Sequence, residues 1–411
     1  VLPPVTCPFG SGRTLRRAWP RGGIPITDAH QRRLGRIIAP LAALGVVVSL
    51  AACSHPAPAK TSAVAVSPAA EATTRSPVAS PTATPAPSPP PLPAYCHQGG
   101  PELWAHLATC GWPGPTNTGP DLSQCPGGQL AGDGGSITRT IAVTKPNTVI
   151  SCKSVHGMLD IEAANVTIEN SVVVANSGKT GEDANGTGAI KVEDGASAVI
   201  SHVKINGDDG VHACIWHQGT SLAANAVNCS GADDGIFSWA DSSSPGSGDH
   251  FVIKNSYFHG FTTATSNGHE DGYQTEGASF GLIKHNTYKM TADADSAIAI
   301  WDSLKSSSSI RVRHNLITGG GFSIYAEDYD PGDGGPGNPS AVGGFTDTGI
   351  SFVNNVFSTH ADGCVGQFGV WFERPWPPYD GGPTDGWRRS GNKVLETGEN
   401  VDNGNPGGSC G

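Results

Sequence analysis

Three acidic pairs stand immediately before glycine: Asp208-Asp209-Gly210, Asp233-Asp234-Gly235 and Glu270-Asp271-Gly272. A looser fourth set, Asp293 and Asp295, precedes Ser296-Ala297-Ile298. Carboxylates held close together raise one another's pKa or recruit a cation, and either outcome suits a reactive site. The competing reading is that Asp-Gly is ordinary turn chemistry. The third pair lies in the richest local cluster, Asn267-Gly268-His269-Glu270-Asp271-Gly272-Tyr273-Gln274, which offers an imidazole, two carboxylates, a phenol and an amide. Strand alternation would place His269 and Asp271 on one side, with Glu270 and Gly272 on the other. His212 and His217 could face the same groove, although a single His is as often a hydrogen-bonded structural residue. Trp216, Trp239 and Trp301 follow the acidic positions, where they would stack on sugar rings or shield strand edges. A basic set, Lys254, Lys284 and Arg313, recurs at steps of 30 and 29 residues. It would hold acidic groups or form a solvated outer face.

Something must bring residues so far apart in sequence together, and a repeat does it. Seven short apolar segments read NVTIEN, SAVISH, SLAANA, HFVIKN, FGLIKH, SIRVRH and GISFVN. Anchored on Asn170, His202, Ala226, Asn255, His285, His314 and Asn354, they recur at steps of 32, 24, 29, 30, 29 and 40 residues. Such a period marks a solenoid, whose units bury apolar surface only by stacking. The units are rich in Val, Ile, Thr and Ser and lack helical periodicity, so each is a turn of β-strands. The expected fold is all-β, a right-handed parallel β-helix over 137–370. The Asn/His anchors read as corner residues that hydrogen-bond backbone.

The flanking segments differ in kind. Arg32, Arg33 and Arg36 precede an apolar run ending in Leu50-Ala51-Ala52-Cys53, the layout of a secretory signal closing in a lipobox. Residues 1–53 are therefore expected to be an N-terminal extension, a signal peptide and a lipidation site at Cys53. Residues 54–93, almost wholly Ala, Pro, Ser, Thr and Val, cannot offset their ordering entropy by burial and read as a disordered linker. A Cys- and Trp-containing segment, 94–136, is expected to cap the first coil, and the aromatic tail 371–411 the last. Eight cysteines beyond Cys53 suit disulfides in an exported domain, with Cys96–Cys110 and Cys214–Cys229 as neighbouring pairs. The formal charge is −11. Without residues 1–52, which carry seven Arg and one Asp, it falls to −17. Nucleic acid is thus a poor partner, since phosphate binding needs a basic stripe. A monomer at the outer face of a bacterial membrane is the expected setting.

These coils, with the opening CGWPGPTNTG and the run VTKPNTVISCKSVHGMLDIEAANVTIENS, resemble right-handed parallel β-helix proteins of the pectate lyase-like superfamily, in an exported bacterial lipoprotein form. The likeness covers about residues 95–411. It implies a lyase, hydrolase or epimerase acting on acidic polysaccharide, with calcium common among the lyases. A calcium-dependent lyase would hold the ion on Asp209, Asp234 and Asp271, with Glu270 beside them. His269 would be the base, with Lys284 or Tyr273 behind it, and Gln274, His217, Trp216, Trp239 and Trp301 would line the substrate. The Asp pairs also resemble part of the carboxylate pattern of polygalacturonase-type hydrolases, in which two Asp would serve as acid and base. That family's downstream Arg-x-Lys signature is absent, with Arg311-Val312-Arg313 only a distant echo. A third reading is a glycan-binding or wall-spanning protein whose columns merely stabilise the coils.

Overall fold

The computed structural model describes residues 91–240, 243–244, 246–263, 268–327, 347–361, 363–374 and 387–404. Cys53, most of the linker, Asn267, the Gly/Pro/Asp-rich run 328–346, Trp376, Tyr379 and Cys410 lie outside these residues. Those described form a right-handed parallel β-helix. One sheet has nine strands: β1 Thr140–Val143, β2 Met158–Ile161, β3 Gly188–Val192, β4 Ala213–His217, β5 Asp234–Ser238, β6 Tyr273–Glu276, β7 Ile298–Trp301, β8 Phe322–Glu327 and β9 Gly369–Arg374. A second, wider sheet of 17 strands forms the rest of each coil. Strand pairing between coils is parallel throughout. Nine coils at ~4.8 Å make a rod of roughly 40 Å. The solenoid runs past the expected end at 370, because Trp387–Ser390 and Lys393–Val394 add to the wide sheet.

Each coil turns a corner at one residue of the repeat. All seven anchors, from Asn170 (φ 44°) to Asn354 (φ 54°), adopt the left-handed conformation that bends the strand. Asn tolerates it best among non-glycine residues, which explains part of the signature. One residue beyond the anchor, the side chain turns inward. There Asn286, Asn315, Asn355 and Asn392 form a fully buried ladder. Asn315 N–H and Nδ2 donate to Asn355 Oδ1 (3.1 and 2.9 Å), and Asn355 donates likewise to Asn392 (3.0 and 2.9 Å). Each amide also donates to a carbonyl of the preceding coil, Val312 in the case of Asn355 (3.1 Å). Asp402 accepts from Asn392 and ends the row (2.9 and 2.8 Å). Most of the remaining interior is apolar, with columns such as Ile215, Ile236, Tyr273, Ile298 and Ile324 in register.

The segment 94–136 does not simply cover the first coil. It runs as a strap along the corner from the last coils to the first. Trp104 stacks on His360 (5.0 Å) and its Nε1 donates to Ser358. Trp112 stacks on His285, Gly119 N–H donates to the Ala226 carbonyl, and Asp121 N–H donates to Asn170 Oδ1. Cys125 is bonded to Cys152, and Ala131–Gly132 then adds a strand beside Lys153–Ser154, which caps the end. The left-handed corners leave backbone groups and rings exposed, and the strap is what satisfies them. Cys96–Cys110 and Cys214–Cys229 pair as expected. Cys364 is also bonded, to a partner outside the described residues.

Candidate active site

The acidic positions meet at the start of β5, β6 and β7, on the outer face of the nine-strand sheet. Asp234 and Asp271 are fully buried side by side. Asp234 Oδ1 accepts from Asp271 N–H (2.9 Å), and its Oδ2 lies 3.3 Å from His212 Nε2. The Ser296 hydroxyl donates to Asp271 Oδ1. An amide oxygen turned toward two carboxyls would repel them, so the Gln274 nitrogen faces them, 3.2 Å from Asp271 Oδ2 and 3.3 Å from Asp234 Oδ2. Burial, then the Asp233 charge, pushes Asp234 well above the usual carboxylate range, and burial, then the Asp234 and Asp295 charges, does the same to Asp271. Both carboxyls therefore hold a proton more readily than an exposed Asp does.

The neighbouring imidazoles are neutral. His212 Nδ1 accepts from Gly186 N–H (3.1 Å), which leaves the ring proton on Nε2, pointing at Asp234. Burial pushes His212 down to about 4, so the neutral ring donates its Nε2–H to Asp234. His269 is half-buried, edge-on to Trp301 (4.8 Å), and is also pushed down to about 4 by burial.

The water-facing edge belongs to Asp295 and Glu270. Asp295 N–H donates to the His269 carbonyl (2.7 Å), which sets Asp295 beside Glu270 in the stack. Burial, then Glu270, raises Asp295 to about 6. Glu270 accepts from Thr263 (2.7 Å) and has φ of 57°. This left-handed residue breaks the expected alternation, so His269, Glu270 and Asp271 all join one cluster and only Gly272 points inward. A Cβ on Gly272 would lie 2.4 Å from the Tyr288 ring and 2.6 Å from the Ala297 carbonyl. That glycine is required by stacking. Turn chemistry instead describes the first pair, since Asp208 and Asp209 are both left-handed.

Several expected members stand elsewhere. Asp234 aligns with Ala213, four residues beyond Asp209, so Asp209 is outside the cluster and accepts from Thr262 (2.7 Å). Asp293 is exposed. Tyr273 faces the interior, where burial raises its phenol. His217 also points inward, within 3.2 Å of the Asp249 carbonyl, and His212 takes the place in the site that His217 was expected to share. Lys284 lies on the wide sheet and makes no ion pair or hydrogen bond with the cluster. Trp216 stacks on Phe237 (4.5 Å), with Trp239 against both. Trp216 and Trp301 are 5% and 7% exposed, so they wall the site and offer edges only.

Calcium takes about six to eight oxygen ligands. Here the oxygens of Asp234 and Asp271 receive N–H and O–H donors, and Asp209 is too far along its turn to join them. Among the described residues, no three His, Cys, Asp or Glu side chains form a metal-holding group. Those donors occupy oxygens that a cation would need, so the arrangement does not fit the expected calcium trio. The chain matches no family model and no curated protein.

The raised Asp295 also predicts a stability effect. A carboxyl raised by folding costs nothing below its unfolded value near 4, and the cost grows to its full size as pH rises through about 6. Asp295→Asn is therefore expected to raise Tm at pH 7 and leave it almost unchanged at pH 4. Equal shifts at both pH values, measured by calorimetry, would refute the assignment.

Proposed function

We propose that this β-helix protein is a glycoside hydrolase of extracellular polysaccharide, with Asp295 as the proton donor. The observation that carries the reading is the half-buried Asp295 carboxyl, set beside Glu270 at the edge of the buried Asp234 and Asp271 and raised to about 6 by burial and Glu270. Such a group is protonated in mildly acidic solution and can still lose its proton in the transition state. Asp295 gives its proton to the glycosidic oxygen as the C–O bond breaks. Water adds to the anomeric carbon and gives its proton to a second carboxylate, for which Glu270 is the half-buried neighbour. His212, Gln274 and Ser296 hold the inner pair in place. Support from the fold is general, since parallel β-helices suit long polymers and a fold alone does not fix a reaction. The resemblance to the pectate lyase-like superfamily favours a uronate polymer. On this reading the enzyme works outside the cytoplasm, held by a lipid on Cys53, and Cys53→Ala should lose fatty-acid incorporation in labelled cells.

A panel of polyuronates and neutral glycans tests the reaction. Reducing ends should appear on at least one polymer at pH 5, equally with and without EDTA. Cleavage that EDTA abolishes would restore the calcium-dependent reading.

A further inference from the structure

The wide sheet carries a cationic column that the carboxyl cluster does not use. Lys254, Lys284 and Arg313 are consecutive register partners, and Arg311 and Arg388 stand in the adjacent outward column. Four of the five are exposed, and Arg313 is half-buried. None forms an ion pair among the described residues. Among the described residues, the only carboxylate in the two columns is Glu169, three strands from Lys254. Like charges stacked at the strand spacing, ~4.8 Å, repel one another, and among the described residues no ion pair offsets them. Their field already reaches the corner, where burial, then Arg313 and Lys284, lowers His314. In a chain of net charge −11, a cationic row with no ion pair among the described residues invites an anionic partner from outside.

We propose that this face binds a linear anionic polysaccharide at a second site, away from the cleavage site. The polymer would lie along the solenoid axis, with successive carboxylates meeting successive cations. The adjoining column supplies the other half of the match. Val149, Thr167, Val199, Ala223, Val252 and Leu282 follow one another in register before Arg311, a flat apolar stripe for the C–H faces of sugar rings. Val149 and Val199 are 61% and 46% exposed, unusual for valine in a sheet. The inference does not rest on the reaction assigned to Asp295.

The test uses the full chain in the Asp295→Asn background, so that no polymer is cut, with polygalacturonate as the probe. Replacing Lys254, Lys284 and Arg313 together by Ala should weaken binding by about tenfold or more. It should also flatten the decline of affinity with added salt, because screened contacts have been removed. Lys284→Arg should bind as the parent does. In the cleaving enzyme, the triple substitution should leave hydrolysis of short oligosaccharides unchanged. Unaltered polymer affinity in the triple variant would overturn the proposal. So would a loss confined to vesicles containing phosphatidylglycerol, which would assign the face to a membrane surface.

Discussion

Asp295→Asn is expected to lower kcat/KM on polysaccharide by about 10²–10⁴-fold, the usual contribution of a positioned general acid. The alkaline limb of the pH–rate profile, falling through about pH 6 in the parent as Asp295 loses its proton, should vanish with it. An aryl glycoside whose leaving group needs no protonation should be cut nearly as fast by the variant. That contrast separates a proton donor from a residue that merely shapes the site. Asp271→Asn is expected to act differently. It removes a carboxyl coupled by charge to Asp295 while Ser296 and Gln274 stay beside it, so the limb should move and not disappear. A profile unchanged in Asp271→Asn would contradict the coupling, and full activity of Asp295→Asn on polysaccharide would contradict the role.

The second large effect concerns the fold. Asn355→Ala removes the acceptor for two Asn315 donors and the donors to Val312 and Asn392, all inside the solenoid. Buried groups left unsatisfied cost roughly 1–3 kcal/mol each, so a loss of about 3–5 kcal/mol is expected. This is a large part of a typical domain's stability of about 5–15 kcal/mol. Because each coil contacts only its neighbours, protection from hydrogen exchange should fall most in the coils around Asn315 and Asn392. His314→Ala, at the exposed corner one residue before the ladder, should cost far less. A comparable loss of Tm in the two variants would show that the ladder is not the structural element described.

The contrast between Asn355 and His314 also shows how far the sequence could be read. The corner column was legible because left-handed backbone favours Asn and His once per coil, and every anchor stands at such a left-handed corner. The interior ladder one residue later was not, because Ser171, Val203, Val227 and Ser256 occupy it in earlier coils. The acidic pairs looked equivalent by their shared Asp-Gly signature. They stand seven, eight and sixteen residues after their anchors, and turns of unequal length decide which of them align. Asp234 and Asp271 meet, and Asp209 falls short. A left-handed Glu270 broke the alternation that strand logic would apply to His269 and Asp271. Lys284 repeats as regularly as the acids, but a repeat gives spacing and not the face. Asp295 was visible only as a loose member of its column, since burial and the Glu270 charge, which set its proton affinity, come from folding.

The most direct test follows reducing ends and the ultraviolet absorbance of unsaturated uronate in the same digest, for the parent and for Asp295→Asn, with EDTA present. Reducing ends without new absorbance, abolished by the substitution, are the result expected here. Absorbance that climbs in step with reducing ends would mean elimination, and the assignment of Asp295 as the acid of a hydrolase would fall.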